Sequence, residues 1–78
     1  MAQVNLYAAA RAALGQSQIQ LSAANLGELV TALSATDAKL AKLLPTCTYL
    51  LNGIACADLN RQLLEGDQID VLPQFAGG

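Results

Sequence analysis

The hydrophobic pattern of this chain switches period, and the switch limits what it can fold into. Gln3-Val4-Asn5-Leu6-Tyr7, Gln18-Ile19-Gln20-Leu21 and Gln68-Ile69-Asp70-Val71-Leu72 alternate polar and apolar, the period of strands with one buried face. Between them Leu26, Leu29, Val30 and Leu33 recur at i, i+3, i+4 and i+7, the stripe of a helix with one buried side. Short strands around one amphipathic helix describe an α+β domain, a mixed sheet with one main helix packed on one face.

Local signals place the boundaries. Asn25 is a helix cap with Glu28 three residues on, and Gly27 weakens that helix slightly. Continuing the stripe to Leu40 and Leu44 would put Asp37 on it, and Ser34-Ala35-Thr36-Asp37 reads as a cap. The helix is therefore expected to break there and restart over 38–44, stopped by Pro45. Ala8 to Leu14 is an alanine-rich helical turn ending at Gly15, and the strands on either side of it form an antiparallel pair. Residues 46–51 are a third strand, Asn52-Gly53 a tight turn, and residues 54–56 a short edge strand. Residues 58–64 are a connector with room for one helical turn, Glu65-Gly66-Asp67 is a turn, and Pro73 closes the last strand. One domain over 1–73 and a flexible tail over 74–78 are expected, since 78 residues leave no room for two cores.

Composition narrows the function. Hydrophobic residues make up 54% of the chain and charged ones 13%, a balance that excludes disorder. No apolar run approaches the length of a membrane span, because Arg11 and the Gln16–Gln20 stretch interrupt the early one. Four basic residues, Arg11, Lys39, Lys42 and Arg61, are scattered among six acidic ones, which argues against a nucleic-acid partner. There is no histidine, so no imidazole base, serine triad or histidine metal ligand is available. A phosphate loop is also missing. The start, Met1-Ala2-Gln3-Val4, has no secretory character, and the expected location is cytoplasmic.

The sequence ends Pro73-Gln74-Phe75-Ala76-Gly77-Gly78. Two terminal glycines alone are compatible with a plain chain end. Placed after a strand that Pro73 stops, they read as an arm carrying the Gly78 carboxylate, narrow enough to enter another protein's active site because glycine lacks Cβ.

With Asn5-Leu6-Tyr7-Ala8-Ala9, Arg11, Leu14-Gly15, Leu51-Asn52-Gly53, Leu64-Glu65-Gly66-Asp67-Gln68-Ile69, Leu72-Pro73 and Ala76-Gly77-Gly78, the whole chain resembles the ubiquitin-like β-grasp proteins. More narrowly it is similar to the small subunit of molybdopterin synthase, a sulfur carrier. It departs from that family's usual second proline and small aliphatic residue with Gln74 and Phe75. The resemblance implies a protein that is not catalytic alone and binds no cofactor itself. A ubiquitin-activating-type adenylyltransferase would use ATP to adenylate Gly78, and sulfur would displace AMP to leave a thiocarboxylate. Gly77 and Gly78 would then enter the large synthase subunit, in a heterotetramer, and donate sulfur to precursor Z for the molybdenum cofactor. The alternatives are a sulfur carrier for thiazole or cysteine synthesis, a modifier conjugated to lysines, and an interaction module whose two glycines are incidental.

In a β-grasp sheet the first and last strands are central neighbours. If Val4, Leu6, Ile69 and Val71 face the helix, Tyr7 and Leu72 face away from it, close to Phe75. These three residues form the expected docking patch at the root of the tail. Cys47 and Cys56 fall on a diagonal of the Asn52-Gly53 hairpin, about 7–8 Å apart, beyond the usual disulfide span. They are expected to be buried small apolar residues.

Overall fold

The computed structural model describes residues 1–74, so Phe75, Gly77 and Gly78 of the expected site lie outside the described residues, as does the tail after Gln74. The chain runs β1 (Ala2–Leu6), α1 (Ala8–Leu14), β2 (Gln18–Leu21), α2 (Leu26–Thr36), α3 (Ala38–Leu43), a 3₁₀ turn over Leu44–Thr46, β3 (Thr48–Leu51), β4 (Ile54–Ala55) and β5 (Gln68–Leu72). The sheet order is β2-β1-β5-β3-β4. β1 and β5 are parallel, with Val4 opposite Ile69 and Leu6 opposite Val71, while the other neighbours are antiparallel. The mixed sheet and its covering helices are the α+β architecture expected from the period switch.

Alternation decides the two faces. Ala2, Val4, Leu6, Leu51, Ile69 and Val71 are buried against Ala10 of α1, Leu26, Leu29 and Leu33 of α2, and Leu40 and Leu44 beyond. The helical layer is broader than one helix because α1 and α3 share this core with α2.

The helix break falls at Asp37, as its position on the stripe demands. Its carboxylate accepts from the Lys39 and Leu40 N–H groups at 2.7 and 3.0 Å and caps α3. Asn25 caps α2 by accepting from the Glu28 N–H at 2.8 Å. In the β3–β4 hairpin Asn52 and Gly53 have φ of 50° and 86°, the left-handed pair that a two-residue turn requires.

Three sequence expectations shift. β3 begins at Thr48 rather than at residue 46, because the Cys47 N–H donates to the Leu44 carbonyl and closes a 3₁₀ turn around Pro45. The short strand after the hairpin stops at Ala55 instead of 56. Residues 58–64 form no helix. Their carbonyls serve α2 instead: Arg61 accepts from the Leu26 N–H at 3.0 Å and Leu59 from the Gly27 N–H at 2.8 Å. Two N–H groups left open at a helix start are satisfied in this way. Gly27 allows the approach, since a Cβ there would stand 3.1 Å from the Leu59 carbonyl oxygen.

Candidate functional site

β5 delivers the chain to its final residues, and it lies in the middle of the sheet between β1 and β3. Its odd residues, Ile69 and Val71, are buried. Its even residues, Gln68, Asp70 and Leu72, share the outer face with Gln3 and Asn5 of β1 and Thr48 and Leu50 of β3. Leu72 is half-buried and pairs with Thr48, while Leu50 pairs with Asp70.

Tyr7 follows β1 directly. Its N–H donates to the Val71 carbonyl at 3.3 Å, extending the parallel ladder by one residue. Ala8 then takes a φ of 50°, a left-handed turn that an L-residue rarely adopts. The turn swings the chain into α1 and leaves Tyr7 on the outer side, 42% exposed, with its hydroxyl 3.5 Å from the Asp70 carboxylate. The structure therefore brings Tyr7 and Leu72 to the outer face around Asp70; the third residue of the patch, Phe75, is not described.

Between them lies a polar row that sequence reasoning passed over. The Asn5 amide donates to Asp70 at 2.8 Å and its oxygen accepts from the Gln3 amide at 3.0 Å. Asn5 is only 9% exposed, and these bonds satisfy it. The signal was present: Asn5 and Asp70 have the same parity in their strands as Tyr7 and Leu72. Leu50 was missed because the outer face was read from β1 and β5 alone. On the diagonal between the Thr48–Leu72 and Leu50–Asp70 pairs, Leu50 and Leu72 form the apolar part of this face.

At the base of β5, the Asp67 carboxylate accepts from the Leu64 N–H at 2.7 Å and the Asn52 amide at 3.0 Å. The backbone bond first, then the amide, hold its carboxyl below the ordinary 3.8. Asn52 also accepts from the Gln68 N–H at 3.0 Å, so the hairpin turn is tied to the start of β5.

On the helix side, beyond β3, a groove of about 420 Å³ is lined by Cys47, Tyr49, Cys56 and Leu59, among others. The two cysteines are free and half-buried, rather than fully buried as expected. Helix cover ends before this margin, so the hairpin side chains remain partly open. The Tyr49 hydroxyl donates to the Leu44 carbonyl at 3.0 Å, and burial, with the neighbouring Cys47, pushes the phenol up to about 12. Burial also raises the Cys47 thiol, which makes it a poor nucleophile.

A five-stranded mixed sheet with central parallel first and last strands, covered on one face by helices, defines a ubiquitin-like β-grasp protein, of the class that holds sulfur carriers and ubiquitin-like modifiers. The ThiS family profile matches residues 4–78, and the chain belongs to the ThiS family. No curated protein matches it. Among solved structures, the small archaeal modifier protein 1 of Methanosarcina acetivorans is 22% identical with a TM-score of 0.88, over 99% of this chain and 95% of that one. The complex of subunits 1 and 2 of the molybdopterin-converting factor from Helicobacter pylori gives 27% identity and a TM-score of 0.75, over 99% and 97%. The BexX/CysO complex of Amycolatopsis orientalis gives 19% and 0.80, with both chains covered in full. Among the described residues no helix is long and apolar enough to cross a membrane.

Proposed function

We propose that this chain is the sulfur-carrying small subunit of a molybdopterin synthase. The observation that carries the reading is its 27% identity, over 99% of its length, to the Helicobacter pylori molybdopterin-converting factor complex. The family match running through to Gly78 supports it. The Gly78 carboxylate attacks the α-phosphate of ATP on an adenylyltransferase partner and forms an acyl-adenylate with loss of pyrophosphate. A sulfide equivalent then displaces AMP and leaves a thiocarboxylate. Gly77 and Gly78 enter the large subunit, where the thiocarboxylate sulfur bonds to precursor Z and water then cleaves the acyl–sulfur bond, which leaves the sulfur on the precursor and regenerates the carboxylate. An activated carboxyl divides one difficult sulfur delivery into easier steps. The chain supplies the carrier group and the platform that presents it, and the partners supply ATP chemistry and the acceptor site.

Intact mass spectrometry of the chain isolated from its native cell tests this. Exchange of one oxygen for sulfur, lost on deletion of Gly78, is expected, together with rescue of a strain lacking the small subunit of molybdopterin synthase. Lysine adducts bearing a Gly-Gly remnant would identify a modifier instead. A thiocarboxylate without rescue would move the carrier to thiazole or cysteine synthesis.

A further inference from the structure

The strand order leaves β2 and β4 at the two margins of the sheet. β4 is only two residues long, too short to template another strand. β2 is different. Residues 16–22, Gln-Ser-Gln-Ile-Gln-Leu-Ser, contain no charge and no proline, the usual devices that keep an exposed edge from pairing.

The register fixes which backbone groups stay open. Ala2 faces Leu21 and Val4 faces Ile19, and the Leu6 N–H donates to the Ser17 carbonyl at 2.8 Å. In an antiparallel ladder the directly bonded pairs alternate, so Ser17, Ile19 and Leu21 turn their backbone groups toward β1. Gln18 and Gln20 turn theirs toward the open side. The same two residues are exposed on the outer face, while Ile19 and Leu21 are half-buried on the helix side.

We infer that β2 is a self-pairing edge, and that its occupant is a second copy of this chain lying antiparallel about a two-fold axis at Gln20. With Gln20 opposite Gln20, Ile19 meets Leu21 of the other copy and Gln18 meets its Ser22. Open backbone groups then meet open backbone groups, apolar side chains extend the inner layer across the axis, and amides pair with polar side chains outside. Other centres fail. An axis at Gln18 sets Ile19 against Ser17, and an axis at Ile19 needs backbone groups already bonded to β1. The segment carries none of the net charge of −2, so no like charges oppose each other. Two strands of this length bury well under the roughly 1,200–2,000 Å² of a stable interface, so the pairing is reversible and rises with concentration.

Sedimentation equilibrium and cysteine cross-linking test it. A Gln20→Cys pair would sit across the axis at a Cα separation of about 5.5 Å, inside the disulfide window, whereas a Gln18→Cys pair would be about 13 Å apart. Cys47 and Cys56 are present in both variants and cancel. The weight-average mass of the unmodified chain should rise with concentration, and Gln20→Cys should form interchain disulfides at least about tenfold faster than Gln18→Cys. Gln20→Pro, which removes an open N–H and none from the β1 ladder, should hold the chain at monomer mass. A mass independent of concentration, equal cross-linking of the two cysteine variants, or association that survives a folded Gln20→Pro would overturn the inference. If Gln20→Pro does not fold, the cysteine pair alone decides the register.

Discussion

Ile69→Ala probes the strand on which the site is built. Ile69 has no exposed surface, and its neighbours across the sheet are Val4 on one side and Leu51 on the other, both buried. The substitution removes three carbons, about 2.4 kcal/mol of transfer free energy at about 0.8 kcal/mol per group. A residual cavity adds to this, and losses for such changes run to about 2–5 kcal/mol. A chain of 78 residues has roughly 4–12 kcal/mol in total, so a loss of about 3 kcal/mol is a large share. At about 4–8 °C per kcal/mol, the midpoint should fall by roughly 12–24 °C. Urea unfolding followed by far-UV circular dichroism measures it, with an unchanged slope expected if the native and unfolded surfaces are preserved. Gln68→Ala is the control, since Gln68 is exposed on the other face of β5 and should change stability by less than about 0.5 kcal/mol. A slip of one residue in β5 would exchange these faces. A cost below about 1 kcal/mol for Ile69→Ala, or a larger cost for Gln68→Ala, would refute the register and with it the placement of Leu72.

Two further outcomes follow from the site. Leu72→Asp and Tyr7→Asp change outer-face residues, so the fold should persist while, if the proposed function holds, affinity for a large synthase subunit falls by about 30-fold or more, measured by titration calorimetry; unchanged affinity for both would remove them from the proposed interface. Asp67 has its carboxyl held below 3.8 in the folded chain, so the stability it contributes is complete above that value and is lost as pH falls through the lower, folded one. Asp67→Asn should therefore be less stable than the unmodified chain near neutrality and converge with it in acid, and parallel curves of urea midpoint against pH would contradict this.

Much of the fold was legible because it rests on local rules. The alternating runs gave β1, β2 and β5 within a residue; Asn25 and Asp37 marked boundaries through bonds each makes within three residues of itself, and Asn52-Gly53 marked one through the left-handed backbone both residues adopt. What escaped depended on distant contacts. Residues 58–64 lack any helical or strand period, and their shape is set by N–H groups of α2 more than thirty residues earlier. Gly27 looked like a weak point in α2, yet its missing Cβ is what admits the Leu59 carbonyl. The site shows the same division. Parity alone placed Leu72 on the outer face, but the Asn5–Asp70 bond at 2.8 Å joins residues 65 positions apart and needs the parallel β1–β5 pairing to be known first.

That pairing bears on how a carrier survives its own use. A tail that enters another protein's active site puts load on the strand it leaves from. A tail rooted on the two-residue β4 would be held by one neighbour and could peel away. β5 is bonded on both sides, parallel to β1 and antiparallel to β3, and the ladders run to Val71 on one side and Leu72 on the other. Releasing it means breaking two ladders at once and exposing Ile69 and Val71, whose burial contributes about 1.5–3 kcal/mol each. The Asn5–Asp70 bond and the tie from Asn52 to Gln68 fix the outer face and the base of the same strand. Stability is thus concentrated on the strand that leads to the carboxyl end, the element that, under the proposed function, has to hold while Gly78 is engaged by a partner. Under the proposed function, a chain of this size can serve as a carrier because its best-held strand is the one that leads toward Gly78.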